Sequence, residues 1–131
     1  MIKKAMILAA GFGKRLHPLT LKYPKPLLKI GNETLLSNTI KFLINFGIEE
    51  VVINVHYLSD QIINYIDNSK FKIKIILIKK KNKILDTGGG VLNAINYFSN
   101  SPFIIINPDT IWNIDYIKDI KKMENFFFNN N

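Results

Sequence analysis

A chain of 131 residues that is 47% hydrophobic can bury one core and is too short for two. It has no cysteine, which excludes disulfides and thiol chemistry and leaves the redox compartment open. The net charge of +8 raises the possibility of nucleic-acid binding, but three observations discount it. Ile, Lys and Asn together supply 56 of the 131 residues, and these types share A/T-rich codons, so base composition accounts for much of the lysine. Fifteen of the 18 cations precede Ile84, and their densest run, Lys79-Lys80-Lys81-Asn82-Lys83, reads as a solvated strand end or loop. No aromatic residues interleave with that run, as a platform for single strands would need. A basic nucleic-acid-binding module is therefore the minor alternative. No internal repeat is visible.

In chain order, residues 3–10 read as a buried strand, a short apolar run ended by Gly11. The Met1-Ile2-Lys3-Lys4 start imitates a signal peptide, yet Gly11, Gly13 and Lys14-Arg15 close the apolar stretch too early. No stretch approaches the ~18 apolar residues of a membrane span, so a cytoplasmic protein is expected. Residues 11–26 form an irregular loop with glycines at 11 and 13, cations at Lys14, Arg15, Lys22 and Lys25, and prolines at 18, 24 and 26. Residues 27–30 read as a short extended piece closed by Gly31-Asn32. Apolar residues at helical spacing predict a helix over 34–46, stopped by Gly47.

A second strand follows at 48–55, its Val51-Val52-Ile53 continuous as in parallel sheets. Ser59 is the expected N-cap of a helix ending near Asn68. Residues 71–78 read as a third strand. Asp86-Thr87-Gly88-Gly89-Gly90 introduces a helix carrying Val91, Leu92, Ala94, Ile95 and Phe98. A fourth strand, Phe103 to Ile106, ends at Asn107-Pro108-Asp109. Asp115 is the expected cap of a last helix through Ile117, Ile120 and Lys121, and Phe126-Phe127-Phe128 follow with no obvious core. Strands alternating with helices imply an α/β fold with a mostly parallel sheet. Ligands of such sheets bind at the carboxyl ends of strands, where strand order reverses. The glycine loop, residues 86–90 and Asp109 each fall at such an end.

These residue types suit polyphosphate chemistry. Glycine permits positive φ and close approach of backbone N–H groups to an anion, while Lys and Arg neutralise phosphate oxygens. The dinucleotide fingerprint is excluded because Leu16 stands where its third glycine belongs. The nucleoside-triphosphatase loop is excluded because Arg15, not Ser or Thr, follows Gly13-Lys14. An ordinary βα turn competes with a phosphate site on spacing alone; the concentration of cations and prolines in one loop favours the phosphate site. Asp109 reads equally as a hard ligand for Mg²⁺ or as a turn residue in Asn-Pro-Asp-Thr. Lys25, between two prolines, either presents a charge at a fixed place or is a surface lysine. Thr87 and the glycines after it either lie against a flat base or simply open a helix. His17 and His56 lack partners at metal or catalytic spacing, and Trp112 reads as a packing residue.

The run Met6-Ile7-Leu8-Ala9-Ala10-Gly11-x-Gly13-x-Arg15-Leu16-x-Pro18-Leu19-Thr20, with Pro24-Lys25-Pro26-Leu27, resembles the signature of the sugar-nucleotide pyrophosphorylases. Further matches run through residues 51–56, Leu85-Asp86-Thr87-Gly88-Gly89-Gly90 and Asn107-x-Asp109. The Thr-Gly-Gly-Gly form is similar to that of N-acetylmuramate-1-phosphate uridylyltransferases of cell-wall recycling, with mannose-1-phosphate guanylyltransferases and glucose-1-phosphate thymidylyltransferases close by.

The resemblance implies a three-layer, Rossmann-like nucleotidyltransferase fold, truncated at its C-terminal end, in which residues 1–131 form the nucleotide-binding first part of the domain. It implies transfer of a nucleoside monophosphate from a triphosphate to a sugar 1-phosphate, with release of pyrophosphate. Gly11, Gly13, Lys14 and Arg15 would hold the triphosphate, Arg15 stabilising the departing pyrophosphate. Lys25 would contact the reacting phosphates. Ala9, Ala10, Gly11, Thr87 and Gly88 would line the nucleobase, and Asp109 would be the first Mg²⁺ carboxylate. Pro108 departs from the small residue common at its position and fixes φ beside Asp109. The segment that brings most sugar contacts and a second metal-binding aspartate has no counterpart in these residues, so a separately encoded C-terminal half is an implied partner. A non-catalytic, nucleotide-binding fragment is the competing reading.

Overall fold

A computed structural model describes residues 1–79 and 87–130, with the backbone alone at Thr87 and Gly88. The expectations for residues 80–86, most of the lysine run and Asp86 among them, lie outside the described residues. Four parallel strands form the main sheet: β1 (Lys4–Ala9), β4 (Glu50–Val55), β5 (Lys74–Lys79) and β6 (Phe103–Ile106). Their order is β5-β4-β1-β6, so the chain steps outward from β1 on one side and then crosses to the other. The switch in strand order falls between β1 and β6. A two-stranded antiparallel hairpin, β2 (Lys29–Ile30) and β3 (Glu33–Thr34), stands apart. The sequence suggested only its first arm; Gly31, at φ +65°, makes the turn that lets the second return.

Strand alternation divides the core into two faces. Ala5, Ile7, Ala9, Val51, Ile53, Val55 and Ile106 point to one side, against Leu36, Ile40 and Leu43 of α2 (Leu35–Phe46) and Ile62 of α3 (Ser59–Asn68). Ile117 and Ile120 of α5 (Tyr116–Asn129) pack partly on the same face. Met6 and Val52 point to the other, against Ala94 of α4 (Thr87–Ala94) and Phe98 of the 3₁₀ turn after it. The result is the expected helix–sheet–helix sandwich. Each fully buried aliphatic or aromatic side chain contributes roughly 1.5–3 kcal/mol.

The expected helices form, with shifted edges. Thr34 caps α2, its hydroxyl accepting from the Ser37 N–H at 3.0 Å, a contact worth about 1 kcal/mol. Gly47 ends it at φ 113°, and the Ile48 N–H donates to the Leu43 carbonyl at 3.0 Å. Because Ile48 completes that cap, the second strand begins at Glu50 and not at 48. The same fact delays β5: its register opens with Glu50 against Lys74, so residues 71–73 have no parallel partner. Ser59 is not the N-cap of α3. Leu58 occupies that position in the left-handed region at φ 50°, and Ser59, buried, is the first helical residue. The helix introduced by residues 86–90 ends earlier than expected, at Ala94, and residues 95–98 tighten into a 3₁₀ turn. Asp115 makes no side-chain cap; the Asn113 Oδ1 accepts from the Asp115 N–H instead, at 3.0 Å. The last helix runs on to Asn129, with Phe126, Phe127 and Phe128 exposed along it.

Candidate functional site

Two loops meet at the switch point between β1 and β6. The first leaves β1 at Ala9, whose N–H donates to the side-chain oxygen of buried Asn54 at 2.9 Å. It continues through Gly11 and Gly13 into a 3₁₀ turn at Lys14–Leu16 and then α1 (Leu19–Lys22). The second leaves β6 at Asn107 and passes buried Pro108 to Asp109. A cavity of about 170 Å³ lies between them, lined by Ala9, Gly11, Gly13, Lys25 and Asp109 with Pro26, Asn107 and Pro108 among their neighbours. A second cavity, of about 410 Å³, adjoins it through Gly13 and Lys25 and adds Phe12, Lys14, Arg15 and Leu16.

Lys25 opens a 3₁₀ turn, Lys25–Leu27, flanked and filled by Pro24 and Pro26, both buried. The prolines hold that turn, and its ammonium reaches across the cavity to the Asp109 carboxylate at 3.1 Å. Both partners are more than a third exposed, so the pair adds only about 0–1 kcal/mol to stability. Its importance is positional: it sets one cation and one anion side by side at the mouth of the switch point. Lys14 lies with its ammonium 5.3 Å from the Phe12 ring centroid, and Arg15 is exposed on the same turn.

The two glycines differ. Gly13 has φ +65°, and a Cβ there would meet the Thr20 Cγ2 at 2.8 Å, so only glycine fits. Gly11 does not adopt a positive φ, and a Cβ there would meet nothing within 4 Å. Of the two properties that suit glycine to an anion loop, Gly13 uses the positive φ, and Gly11 leaves open space beside the cavity for close approach.

Of the residues singled out in the sequence, Ala9, Gly11, Gly13, Lys25 and Asp109 come together at one cavity, and Lys14 and Arg15 stand at the next. Ala10 is half-buried after β1 and lines neither of the two. Thr87 and Gly88 open α4, the helix whose Gly90 lies against Asn54: a Cβ at Gly90 would come within 2.9 Å of the Asn54 amide nitrogen. Asn54 thus touches both the end of β1 and the glycine-rich start of α4. Sequence reading passed over it, although a lone amide inside Val51-Val52-Ile53-Asn54-Val55 signals a buried group that must find partners. Trp112 does pack, stacked on Phe42 with centroids 5.3 Å apart, and its indole N–H donates to the Asn107 carbonyl at 3.1 Å. It therefore props the second loop from behind. His56 meets the edge of Phe12, with centroids 6.1 Å apart.

Asp109 fits a divalent cation as a single hard oxygen donor beside a phosphate-sized cavity. Among the described residues no cluster of three or more His, Cys, Asp or Glu could hold a metal unaided. A cation there would need phosphate oxygens to complete its shell, the usual manner of Mg²⁺.

Comparison with known proteins shows the family. The family model for nucleotidyl transferases matches residues 4–126. N-acetylmuramate alpha-1-phosphate uridylyltransferase of Caulobacter vibrioides is 33% identical over 113 residues, covering 84% of this chain and 47% of that protein. Mannose-1-phosphate guanylyltransferase 1 of Arabidopsis thaliana is 35% identical, covering 82% and 31%. The structure of HddC from Yersinia pseudotuberculosis, complexed with GMP-PN, superposes with a TM-score of 0.78 at 33% identity, over 92% of this chain and 54% of that one. The chain thus spans about half the length, or less, of the relatives it matches. With a matching family model over nearly its whole length and the same parallel sheet, this chain belongs to the nucleotidyl transferase family.

Proposed function

We propose that this chain supplies the nucleotide wall of a sugar-1-phosphate nucleotidyltransferase site. The observation that carries the reading is the convergence of the Gly11–Gly13 loop, Lys25 and Asp109 on one cavity at the strand-order switch. The triphosphate lies along residues 11–15, with Lys14 and Arg15 against its outer phosphates and Lys25 at the reacting one. Ala9, Ala10, Gly11, Thr87 and Gly88 face the base. In the reaction an oxygen of the sugar 1-phosphate attacks the α-phosphorus, the bond to the bridging oxygen breaks, and pyrophosphate leaves with that bond's electrons. Arg15 stabilises the departing charge, and positioning with charge neutralisation supplies the catalysis. Asp109 would hold Mg²⁺, which neutralises phosphate charge when bound. A uracil or guanine base is favoured by the names of the relatives, and an N-acetylmuramate-type sugar would place the product in bacterial cell-wall metabolism. A cytoplasmic setting suits a consumer of nucleoside triphosphates.

The relatives are about twice as long or more, so the sugar contacts are assigned to polypeptide corresponding to their second half, as a continuation or a separate chain. The test combines calorimetry and turnover. The folded chain is expected to bind UTP or GTP in the presence of Mg²⁺. Pyrophosphate release with N-acetylmuramate 1-phosphate or mannose 1-phosphate is expected to rise on adding that second half. Failure to bind any nucleoside triphosphate overturns the reading. Binding without turnover in either setting leaves the competing one, a nucleotide-binding fragment without catalysis.

A further inference from the structure

Thr20 is fully buried on a short helix whose neighbours Leu19 and Leu21 are exposed. Its hydroxyl donates to the Gly13 carbonyl at 2.6 Å, and its own carbonyl accepts from the Tyr57 hydroxyl at 2.7 Å. The Leu16 N–H donates to the same Gly13 carbonyl at 3.0 Å, so both acceptor sites of that oxygen are engaged. A trans peptide holds its C=O and N–H antiparallel. Fixing the Gly13 carbonyl onto Thr20 therefore turns the Lys14 N–H away from Thr20. The fit is tight in the other direction too, since any Cβ at Gly13 would strike the Thr20 methyl. Tyr57 grips the loop a second time, its ring 5.2 Å from that of Phe12. Tyr57 follows β4, so the loop after β1 is fastened to the end of the neighbouring strand.

We propose that Thr20 and Tyr57 are positioning residues for phosphate binding: they hold the Gly13–Lys14 peptide with its N–H presented to a phosphate oxygen beside Arg15 and Lys25. The inference rests on the triphosphate reading above and adds to it the residues that hold the loop in place before the ligand arrives. A peptide fixed beforehand loses little entropy on binding, which is where the affinity comes from.

The test uses the full chain with Thr20→Val, Thr20→Ser and Tyr57→Phe. Calorimetric probes are inorganic tripolyphosphate, UTP and GTP, with uridine and guanosine as phosphate-free controls. Amide spectra of the ligand-free proteins report the loop directly. Thr20→Val is expected to weaken tripolyphosphate and triphosphate binding about tenfold, the usual consequence of losing one buried hydrogen bond. Thr20→Ser, which keeps the hydroxyl, is expected to restore binding, and nucleoside binding is expected to stay as in the parent. Ligand-free Thr20→Val should shift the Gly13, Lys14 and Arg15 amides and spare those of Ile62 and Ile66. Should Thr20→Val fail to fold, Tyr57→Phe carries the test, because its ring still packs on Phe12. Parental affinity for tripolyphosphate in both Thr20→Val and Tyr57→Phe overturns the positioning role. Equal loss of nucleoside and triphosphate binding also overturns it, leaving a structural role. Absence of polyphosphate binding by the parent itself overturns the triphosphate reading, and the proposal with it.

Discussion

Lys25 and Asp109 come from opposite sides of the crevice and neutralise each other at 3.1 Å. Under the proposed function each has another partner, a phosphate for Lys25 and a divalent cation for Asp109. Whichever ligand arrives first must break the pair, and the residue it releases is the one the other ligand needs. The two bindings are therefore coupled, each favouring the other by the same factor. An exposed pair of this kind limits the coupling to about 1 kcal/mol, or roughly fivefold. In Asp109→Asn the lysine is free from the outset. The affinity for UTP or GTP in EDTA is expected to rise a few-fold, and the further gain on adding Mg²⁺ to shrink. Calorimetry in the two buffers measures both, and an unchanged Mg²⁺ gain in the variant would remove Asp109 from the cation site.

At the scale of elements, α2 shows how a helix start is assembled and how it responds to pH. Glu33 precedes the Thr34 cap and accepts from the Lys41 ammonium at 2.7 Å and the Ser37 hydroxyl at 3.1 Å. The hydrogen bond from Lys41 holds the Glu33 carboxyl below its ordinary value, outweighing the desolvation that raises it, and Glu33 in turn raises Lys41. A lowered carboxyl contributes stability above its unfolded pKa and loses it as pH falls through the folded one. The contribution is small because the pair is largely solvated. Glu33→Gln is thus expected to be slightly less stable than the parent at pH 7, with the gap narrowing toward pH 3. Urea denaturation at the two pH values checks this, and a gap that stays as wide in acid would refute it.

The same elements show what could be read from sequence. β1 and β6 were legible because continuous apolar runs ended by glycine or Asn-Pro-Asp are self-contained signals. The starts of β4 and β5 were not, since the first is set by the Ile48 cap on α2 and the second by the partner strand. Leu58 took the N-cap of α3 in a conformation that no local preference favours. Within the site, glycine, proline and charge marked the loops. The residues that hold those loops, Thr20 and Tyr57, bond to main-chain carbonyls, Thr20 within its own loop and Tyr57 far away in sequence, and periodicity carries no trace of such partners.

For the molecule as a whole, the decisive feature is the side of β6 away from β1. Among the described residues β6 is a terminal strand, and such an edge offers a row of backbone groups for pairing. Beside it lies an apolar cavity of about 450 Å³ between the strand and α5, lined by Ile104, Ile106, Trp112, Ile120, Met123 and Phe127 among others. Ile104 and Ile106 turn toward the core, but Ile105 alternates to the other face and is 44% exposed. An open edge next to an apolar cavity favours association with another strand, and in a purified preparation the available strand is a second copy. The parent is therefore expected to self-associate as concentration rises. Ile105→Lys puts a charge on the edge and leaves Ile104 and Ile106 in the core, a device that discourages edge pairing. It is expected to sediment as a monomer at concentrations where the parent does not, with unfolding stability within about 0.5 kcal/mol of the parent. Identical sedimentation of the two proteins would place self-association elsewhere. Suppressed association with unchanged UTP or GTP affinity would separate this edge from the nucleotide crevice at the carboxyl ends of β1 and β6.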